Sequence, residues 1–462
     1  MKERKIPNNS DWKTLKGVFD DKSLGKYFSK LENEFKVTNE ADFFARLVNM
    51  STANKEPFHR WVRYREGYAG ELVKEILRRY PINPKKHFLM DPMCGSGSSL
   101  VAANELGIDA LGLDVNGYAV LSSNVKNRHY SQENIKLIED DISKFRRVNL
   151  GGKSIPGASS AIDIEKYFPL QNFEELLKIN EWIRRNIKAN ISSNFFHLAF
   201  LASLEDCSDR KKDGNGLATR PAPVHDPKER ILWQLNLMFE DIKSCKRDEG
   251  ITCYAVDSSA LDLSAAAGDM SIKTKKSVHS IIFSPPYANS FDYFESYKLE
   301  LIFGGFVTAD DLKKAKSRLI RNYRITKPKG VQKEIPSVEK LSAEILKRIP
   351  EKEAETGVRD GRTRLVPNML RGYFEDMNQV MKAGYDSLSP GGMMHIVVDQ
   401  SAYVGVPIPT DLIFADLAKD IGYEVTGVIS CRRANTSGQQ LKKFPYLKDL
   451  LRESIVSLQK PI

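Results

Sequence analysis

Apolar residues along this chain recur in two rhythms. Glu71 to Tyr80 carries Leu72, Val73, Ile76 and Leu77 at helical spacing, and Pro81 closes the segment. His87 to Met90 is a short apolar run that reads as a strand, followed by Asp91-Pro-Met-Cys-Gly-Ser-Gly97. A helix is expected from Ser98 to Leu106, ended by Gly107, and a second strand over Ala110 to Leu113, ended by Asp114. Strand, glycine loop, helix, strand is the opening of a doubly wound α/β sheet. Helical periodicity then runs through Phe173 to Ile187, Phe195 to Leu204 and Arg230 to Ile242. Strand signals resume at Thr252 to Val256 and Ser280 to Phe283. They return at His395 to Val398, Glu424 to Ser430 and Ser454 to Leu458, with a helix from Leu412 to Ile421 ended by Gly422.

The expected fold is α/β, a Rossmann-like sheet with a helical insertion and a second, basic insertion. Residues 1–56 form a polar, partly helical lead-in whose most apolar piece, Phe43 to Val48, is given no role. The first half of the sheet domain is 57–130, the helical insertion 131–250 and the second half 251–304. A Lys- and Arg-rich insertion occupies 305–375, and 376–462 completes the domain. Within the helical insertion, Asp209-Arg-Lys-Lys-Asp-Gly-Asn-Gly216 reads as a polar loop extended to Pro221 and Pro223.

At 462 residues the chain exceeds one compact core of ordinary size, in keeping with inserted modules. Its net charge of +10 suits a polyanionic partner, although charge alone leaves a generic basic protein equally open. Five scattered cysteines form no CxxC pair, which excludes a disulfide framework and a zinc site as expectations. No apolar run approaches a membrane span, and Met1 to Trp12 lacks the apolar core of a signal peptide. A cytoplasmic protein with no membrane partner is therefore expected.

The glycine loop changes the picture. It is neither GxGxxG nor a P-loop, and it begins with a carboxylate, Asp91. A pyrophosphate would be repelled there, whereas an ammonium group would be attracted. Asp114, ending the second strand, is placed to accept hydrogen bonds from ribose hydroxyls. A cationic amino-acid portion joined to a ribose describes S-adenosylmethionine. Ser284-Pro-Pro-Tyr287 follows the strand Ser280 to Phe283 directly. Consecutive prolines stiffen an extended segment and fix the directions of its carbonyls and of Ser284. Acceptors so placed can hold an exocyclic amine, with the Tyr287 ring stacked on the base.

Together Asp91–Gly97 and Ser284–Tyr287 resemble the S-adenosylmethionine-dependent amino-methyltransferases of DNA, especially the cytosine-N4 group of restriction–modification systems. The resemblance implies catalysis by Ser284, Pro285, Pro286 and Tyr287. It implies cofactor contacts from Asp91, Pro92, Cys94, Gly95, Gly97, Asp114 and Val115. Arg63-Tyr-Arg-Glu-Gly-Tyr68 looks like the segment preceding the family's glycine loop, with Tyr68 touching the cofactor. Val256-Asp-Ser258 resembles the motif near the cofactor's adenine, which adds Asp257 and Ser258. Duplex DNA with one flipped base is the implied partner, with a cognate restriction endonuclease in the same system. Adenine-N6 relatives more often carry Asp or Asn where Ser284 stands, so the serine tilts the choice towards cytosine without deciding it. An adenine-N6 or RNA amino-methyltransferase and a non-catalytic cofactor-binding DNA protein remain as alternatives.

The basic stretch with Lys313, Lys314, Lys316, Arg318, Arg321, Arg324, Lys327 and Lys329 reads equally as a phosphate-contacting surface or a solvated helix face, and it competes with the helical insertion as the target-recognition element. Arg210, Lys211 and Lys212 read equally as a DNA-contacting loop or a plain surface loop. Asp140 and Asp141 are expected to be solvated, with no metal. Arg432, Arg433 and Asn435 are expected near the substrate side of the sheet.

Overall fold

In a computed structural model the described residues are 15 and 18–462, apart from 50–54, 65–66, 151–159, 214–215, 220–223, 246, 290–291, 309–310, 312–314, 323–333 and 435–437. Among them the strands are β1 (Thr38–Asn39), β2 (His87–Asp91), β3 (Ala110–Asp114), β4 (Arg210–Asp213), β5 (Gly216–Thr219) and β6 (Cys253–Asp257). They continue with β7 (Ser277–Phe283), β8 (Leu388–Asp399), β9 (Ser401–Tyr403), β10 (Val406–Ile408), β11 (Glu424–Arg433) and β12 (Arg452–Gln459).

Eight strands form one sheet in the order β1-β11-β12-β8-β7-β2-β3-β6. β12 alone among them is reversed, running antiparallel to both β11 and β8. The chain leaves β2 towards β3 and β6 on one side, and β7 towards β8 on the other. The order thus switches direction between β2 and β7, and ligands of open α/β sheets bind outside the carboxyl ends at such a point. The α/β sheet expected from the sequence is the one observed.

The strands carry near-continuous apolar runs because both faces are covered. Phe88 and Met90 point to one face and Leu89 to the other, as the two-residue period requires. The first face belongs to a core that also takes in Leu24, Phe28 and Leu31 of α1 (Lys22–Glu34), and the second to one that takes in α2 (Gly70–Arg79) and α3 (Ser98–Glu105). Phe44, Leu47 and Val48 are buried against Leu72, Val73 and Ile76, and β1 pairs with β11. The lead-in is therefore part of the sheet and its core.

A separate apolar core joins α4 (Gly117–Asn127) to the helical insertion, made of α5 (Gln132–Arg147), α6 (Leu170–Asn186), α7 (Asn190–Cys207) and α8 (Pro227–Ser244). The expected loop at 209–216 is instead a two-stranded hairpin, β4 against β5, with Gly214 and the nearby Pro221 and Pro223 outside the described residues. Lys212 turns inward there, paired with buried Glu300 and lying 4.5 Å from the Tyr297 ring. Asp141 also departs from expectation. It is buried, accepting from Ser192 Oγ at 2.7 Å and pairing with Lys144 at 2.8 Å, because its turn of α5 faces α7.

After β7 come α9 (Pro336–Thr356) and α10 (Val366–Ser387), the latter leading directly into β8 and crossing position 375. α11 (Thr410–Ile421) covers β11 and β12. The described cations of the basic stretch are paired with carboxylates. Lys316 pairs with Asp292 and Glu295, Arg318 with Asp257, and Arg321 with Glu375 and Asp376. Lys313, Lys314, Arg324, Lys327 and Lys329 lie outside the described residues. No described helix is long and apolar enough to cross a membrane.

Candidate functional site

The carboxyl ends of β2, β3, β6 and β7 open onto one cleft. It is lined by Tyr68, Asp91, Pro92, Cys94, Gly95, Asp114, Val115, Ser258, Ser284 and Pro286, ten of the fourteen residues singled out in the sequence. Two motifs about 190 positions apart thus share a wall, because β2 and β7 are neighbours in the sheet.

Asp91 ends β2 and is 2% exposed. Its carboxyl accepts from Met93 N at 3.0 Å, Tyr68 Oη at 3.1 Å and Ser99 Oγ. Burial pushes it up to about 7, with these three donors opposing. Asp114 ends β3 and accepts from Gly95 N at 2.9 Å and Asn116 N at 2.8 Å. Burial pushes it up to about 6. A buried acid held above its ordinary range, with a cleft beside it, is poised for a cation that would restore its charge.

Both loop glycines occupy the left-handed region, and each is needed for a different reason. At Gly95 (φ 51°) a Cβ would lie 2.9 Å from the Tyr64 ring, which closes over the loop. At Gly97 (φ 85°) a Cβ would meet Ser123 Oγ at 2.6 Å and Ser123 Cα at 3.0 Å. Gly97 is absent from the cleft wall and instead lets the start of α3 pack on α4. Gly97→Ala is therefore expected to lose about 2–3 kcal/mol of stability through strain and the backbone clash, measurable as a shifted urea midpoint.

Asp257 also lies off the cleft wall. Its carboxylate pairs with Arg318 at 2.6 Å, while Ser258 and Arg318 themselves line the cleft. On the opposite flank, Ser284 follows the last residue of β7 and its Oγ donates to Tyr287 Oη at 3.4 Å. Pro286 lines the cleft, whereas Pro285 and Tyr287 do not. Tyr287 is 9% exposed, its ring lies in the core, and its hydroxyl donates to Glu453 Oε1 at 3.0 Å. A ring open for stacking, the sequence expectation, is not what this conformation presents. Arg432 is bonded to Glu453 and Arg433 to Asp449 at 2.5 Å, while Asn435 lies outside the described residues.

Several residues of the site escaped sequence reading. Tyr64 and Phe294 add aromatic walls, Ser98 and Ser99 bring the N-terminal turn of α3 to the cleft, and Arg318, Leu319 and Ile320 cover it from the basic stretch. That N-terminal turn supplies free N–H groups and partial positive charge. Arg318 was visible only as one cation among many. Glu453 adjoins the apolar run of β12 and carries no motif. Among the described residues no His, Cys, Asp and Glu cluster could hold a metal.

No family model matches the chain. Over nearly its whole length it is similar to Type II methyltransferase M.BsoBI of Geobacillus stearothermophilus, 25% identical over 487 aligned residues that cover 94% of this chain and 92% of that protein. It is likewise similar to Type II methyltransferase M.AvaI of Anabaena variabilis, 25% identical with 92% of this chain and 93% of that protein covered. A shorter match, 26% identical over 202 residues and 41% of this chain, is to Type II methyltransferase M.MjaII of Methanocaldococcus jannaschii. The chain thus resembles Type II methyltransferases over more than nine-tenths of its length.

Proposed function

We propose that this protein is an S-adenosylmethionine-dependent DNA methyltransferase that modifies the exocyclic N4 amine of cytosine at a specific site in duplex DNA. The observation that carries this reading is that Asp91 and Ser284 line one cleft at the switch point of the sheet. The likeness to Type II methyltransferases over more than nine-tenths of the chain supports it.

The donor set suits the cofactor. Asp91 is a buried carboxyl without a cationic hydrogen-bond partner among the described residues, and it would hold the ammonium group. Asp114 would hold the ribose, while Tyr68, Pro92, Cys94, Gly95, Val115 and Ser258 shape the cleft around it. Asp257 would act through its pairing with Arg318, and Gly97 through the packing of α3. When bound, the cofactor supplies an electrophilic methyl group on a sulfonium centre.

The chain's own work lies in presenting the amine. An aromatic amine is a poor nucleophile because its lone pair is delocalised into the ring. Ser284 Oγ and the backbone of the rigid Pro285-Pro286 segment offer acceptors for its two hydrogens, leaving the lone pair directed at the methyl group. The base must leave the duplex to reach this cleft, since its amine is otherwise buried in the stack. Residues 57–130 and 251–304 serve as cofactor and catalytic halves, 376–462 completes the domain, and 305–375 carries target recognition. A cognate restriction endonuclease belongs to the same proposal.

Labelled cofactor and mixed-sequence duplex DNA, followed by nucleoside mass spectrometry, test the reading. Labelled N4-methyl-deoxycytidine is expected. Label on adenine N6 would move the substrate, and label in RNA but not DNA would overturn the DNA assignment. Ser284→Ala is expected to lower kcat about 30-fold, the equivalent of one charge-assisted hydrogen bond, with cofactor affinity unchanged.

A further inference from the structure

Reversal of β12 brings a carboxylate to the target side of the cleft. Glu453, the second residue of that strand, is 2% exposed. One of its oxygens is bonded to Arg432 of the adjoining strand, and the other accepts from Tyr287 Oη at 3.0 Å. The row of hydrogen bonds continues to Ser284 Oγ, 3.4 Å from Tyr287 Oη.

This row has a direction. Arginine can only donate and an ionised carboxylate can only accept. Burial pushes the Glu453 carboxyl up, and the Arg432 guanidinium bonded to it opposes that rise and favours the charged form. Tyr287 must then donate to Glu453, which leaves its oxygen to accept the Ser284 hydrogen. With that hydrogen turned towards Tyr287, Ser284 offers lone pairs to the cleft. An isolated serine hydroxyl rotates and donates as readily as it accepts. A hydroxyl donating to the target amine would bind the very lone pair that has to react.

We propose that Glu453 is a positioning residue. By fixing the donor direction from Ser284 through Tyr287 to itself, it makes Ser284 an acceptor for the target amine. This rests on the methyltransferase reading above.

Glu453→Gln tests the idea sharply. The amide oxygen would face Arg432, which needs an acceptor, so the amide NH2 would face Tyr287. Tyr287 would then donate to Ser284, and Ser284 would donate into the cleft. The change preserves size and reverses the row. Wild type, Glu453→Gln, Glu453→Asp and Tyr287→Phe would be compared for kcat and KM on duplex DNA and for the cofactor dissociation constant. Glu453→Gln is expected to lose about 30-fold in kcat, with KM and cofactor affinity within about threefold. Glu453→Asp, which restores the direction, is expected to recover most of that loss. Tyr287→Phe should match the loss, and combining it with Glu453→Gln should add nothing further, because both break one row.

A Glu453→Gln enzyme with kcat within about threefold of wild type overturns the proposal, as does a loss that merely tracks weakened cofactor binding, or losses that add. Should Glu453→Gln fail to fold, Tyr287→Phe leaves the pair of Glu453 with Arg432 intact. Wild-type kcat in that variant overturns the proposal by itself. A wild-type protein that transfers no methyl group to any DNA amine overturns the methyltransferase reading and this inference together.

Discussion

Alanine at position 91 is expected to weaken S-adenosylmethionine binding by about 100-fold, more than any other single change in the cleft. Truncating one partner of a buried charge pair costs about 2–5 kcal/mol, and about 3 kcal/mol corresponds to that factor. Asp91 meets the conditions for a loss within this range. It is almost fully buried, its neighbours Tyr68 and Ser99 already orient it, and no cation among the described residues bonds to it. The same carboxyl makes binding depend on pH. Burial holds it at about 7, whereas an ammonium ligand prefers the ionised form. As pH falls below about 7, the free protein takes up a proton that must be released before the cofactor binds. Affinity should therefore decline with falling pH, approaching tenfold per unit, with Asp114 adding to the effect below about 6.

Calorimetric titration at pH 6, 7 and 8, in two buffers of different ionisation enthalpy, reads both the affinity and the proton released. An affinity flat across that range would sink the assignment of Asp91 to the ammonium group. Linkage also gives the sign for the free protein. A carboxyl raised from its ordinary value near 4 contributes stability that is full below that value and lost as pH rises through about 7. The empty site therefore strains the fold most at alkaline pH, where the cofactor should stabilise it most.

Asp411→Ala is expected to remove about 3–5 kcal/mol of folding stability, the usual consequence of unpairing a buried ion pair. Asp411 is fully buried in the first turn of α11. It accepts from Gln400 Nε2 at 2.6 Å, Arg452 Nε at 2.7 Å and Ser454 Oγ at 2.8 Å. Arg452 in turn reaches Glu32 of α1 at 3.0 Å. One carboxylate thus ties the reversed strand to α11, to the end of β8 and, through Arg452, to the lead-in. Its place at a helix N-terminus adds a favourable interaction with the helix dipole. Urea titration would show a lower midpoint for Asp411→Ala, and Asp411→Asn, which keeps two of the hydrogen bonds, should lose less. Because Arg452 adjoins Glu453, the alanine variant should also lower kcat. A change in stability below about 1 kcal/mol would mean that the pair is not structurally significant.

Much of the sheet was readable because its signal is local. The strand at His87 to Met90 and the helix from Ser98 to Leu106 each follow from apolar spacing and a glycine boundary, and both lie within a residue of the observed elements. Prediction failed where residues take their meaning from distant partners. Phe44 and Val48 looked unassigned because the helix they bury against lies more than twenty residues away. Asp141 looked solvated and Lys212 looked like part of a surface or DNA-contacting loop because charge in a sequence carries no sign of an inward turn, yet Ser192 and Glu300 receive them. The loop 209–216 became a hairpin with only a short polar strand on each side, too weak an alternation to register.

By itself, the sequence determined the doubly wound α/β class, the glycine loop from Asp91 to Gly97 and the Ser-Pro-Pro-Tyr segment. Each is encoded by contiguous residues whose backbone chemistry admits few alternatives. Only the tertiary structure decided which of those residues share the cleft. It set Gly97 to packing, Asp257 to Arg318, and Tyr287 against Glu453. The reason is physical. Sheet order places the ends of β2 and β7 side by side and turns β12 head to tail. No local period records which strands are neighbours or which one runs backwards.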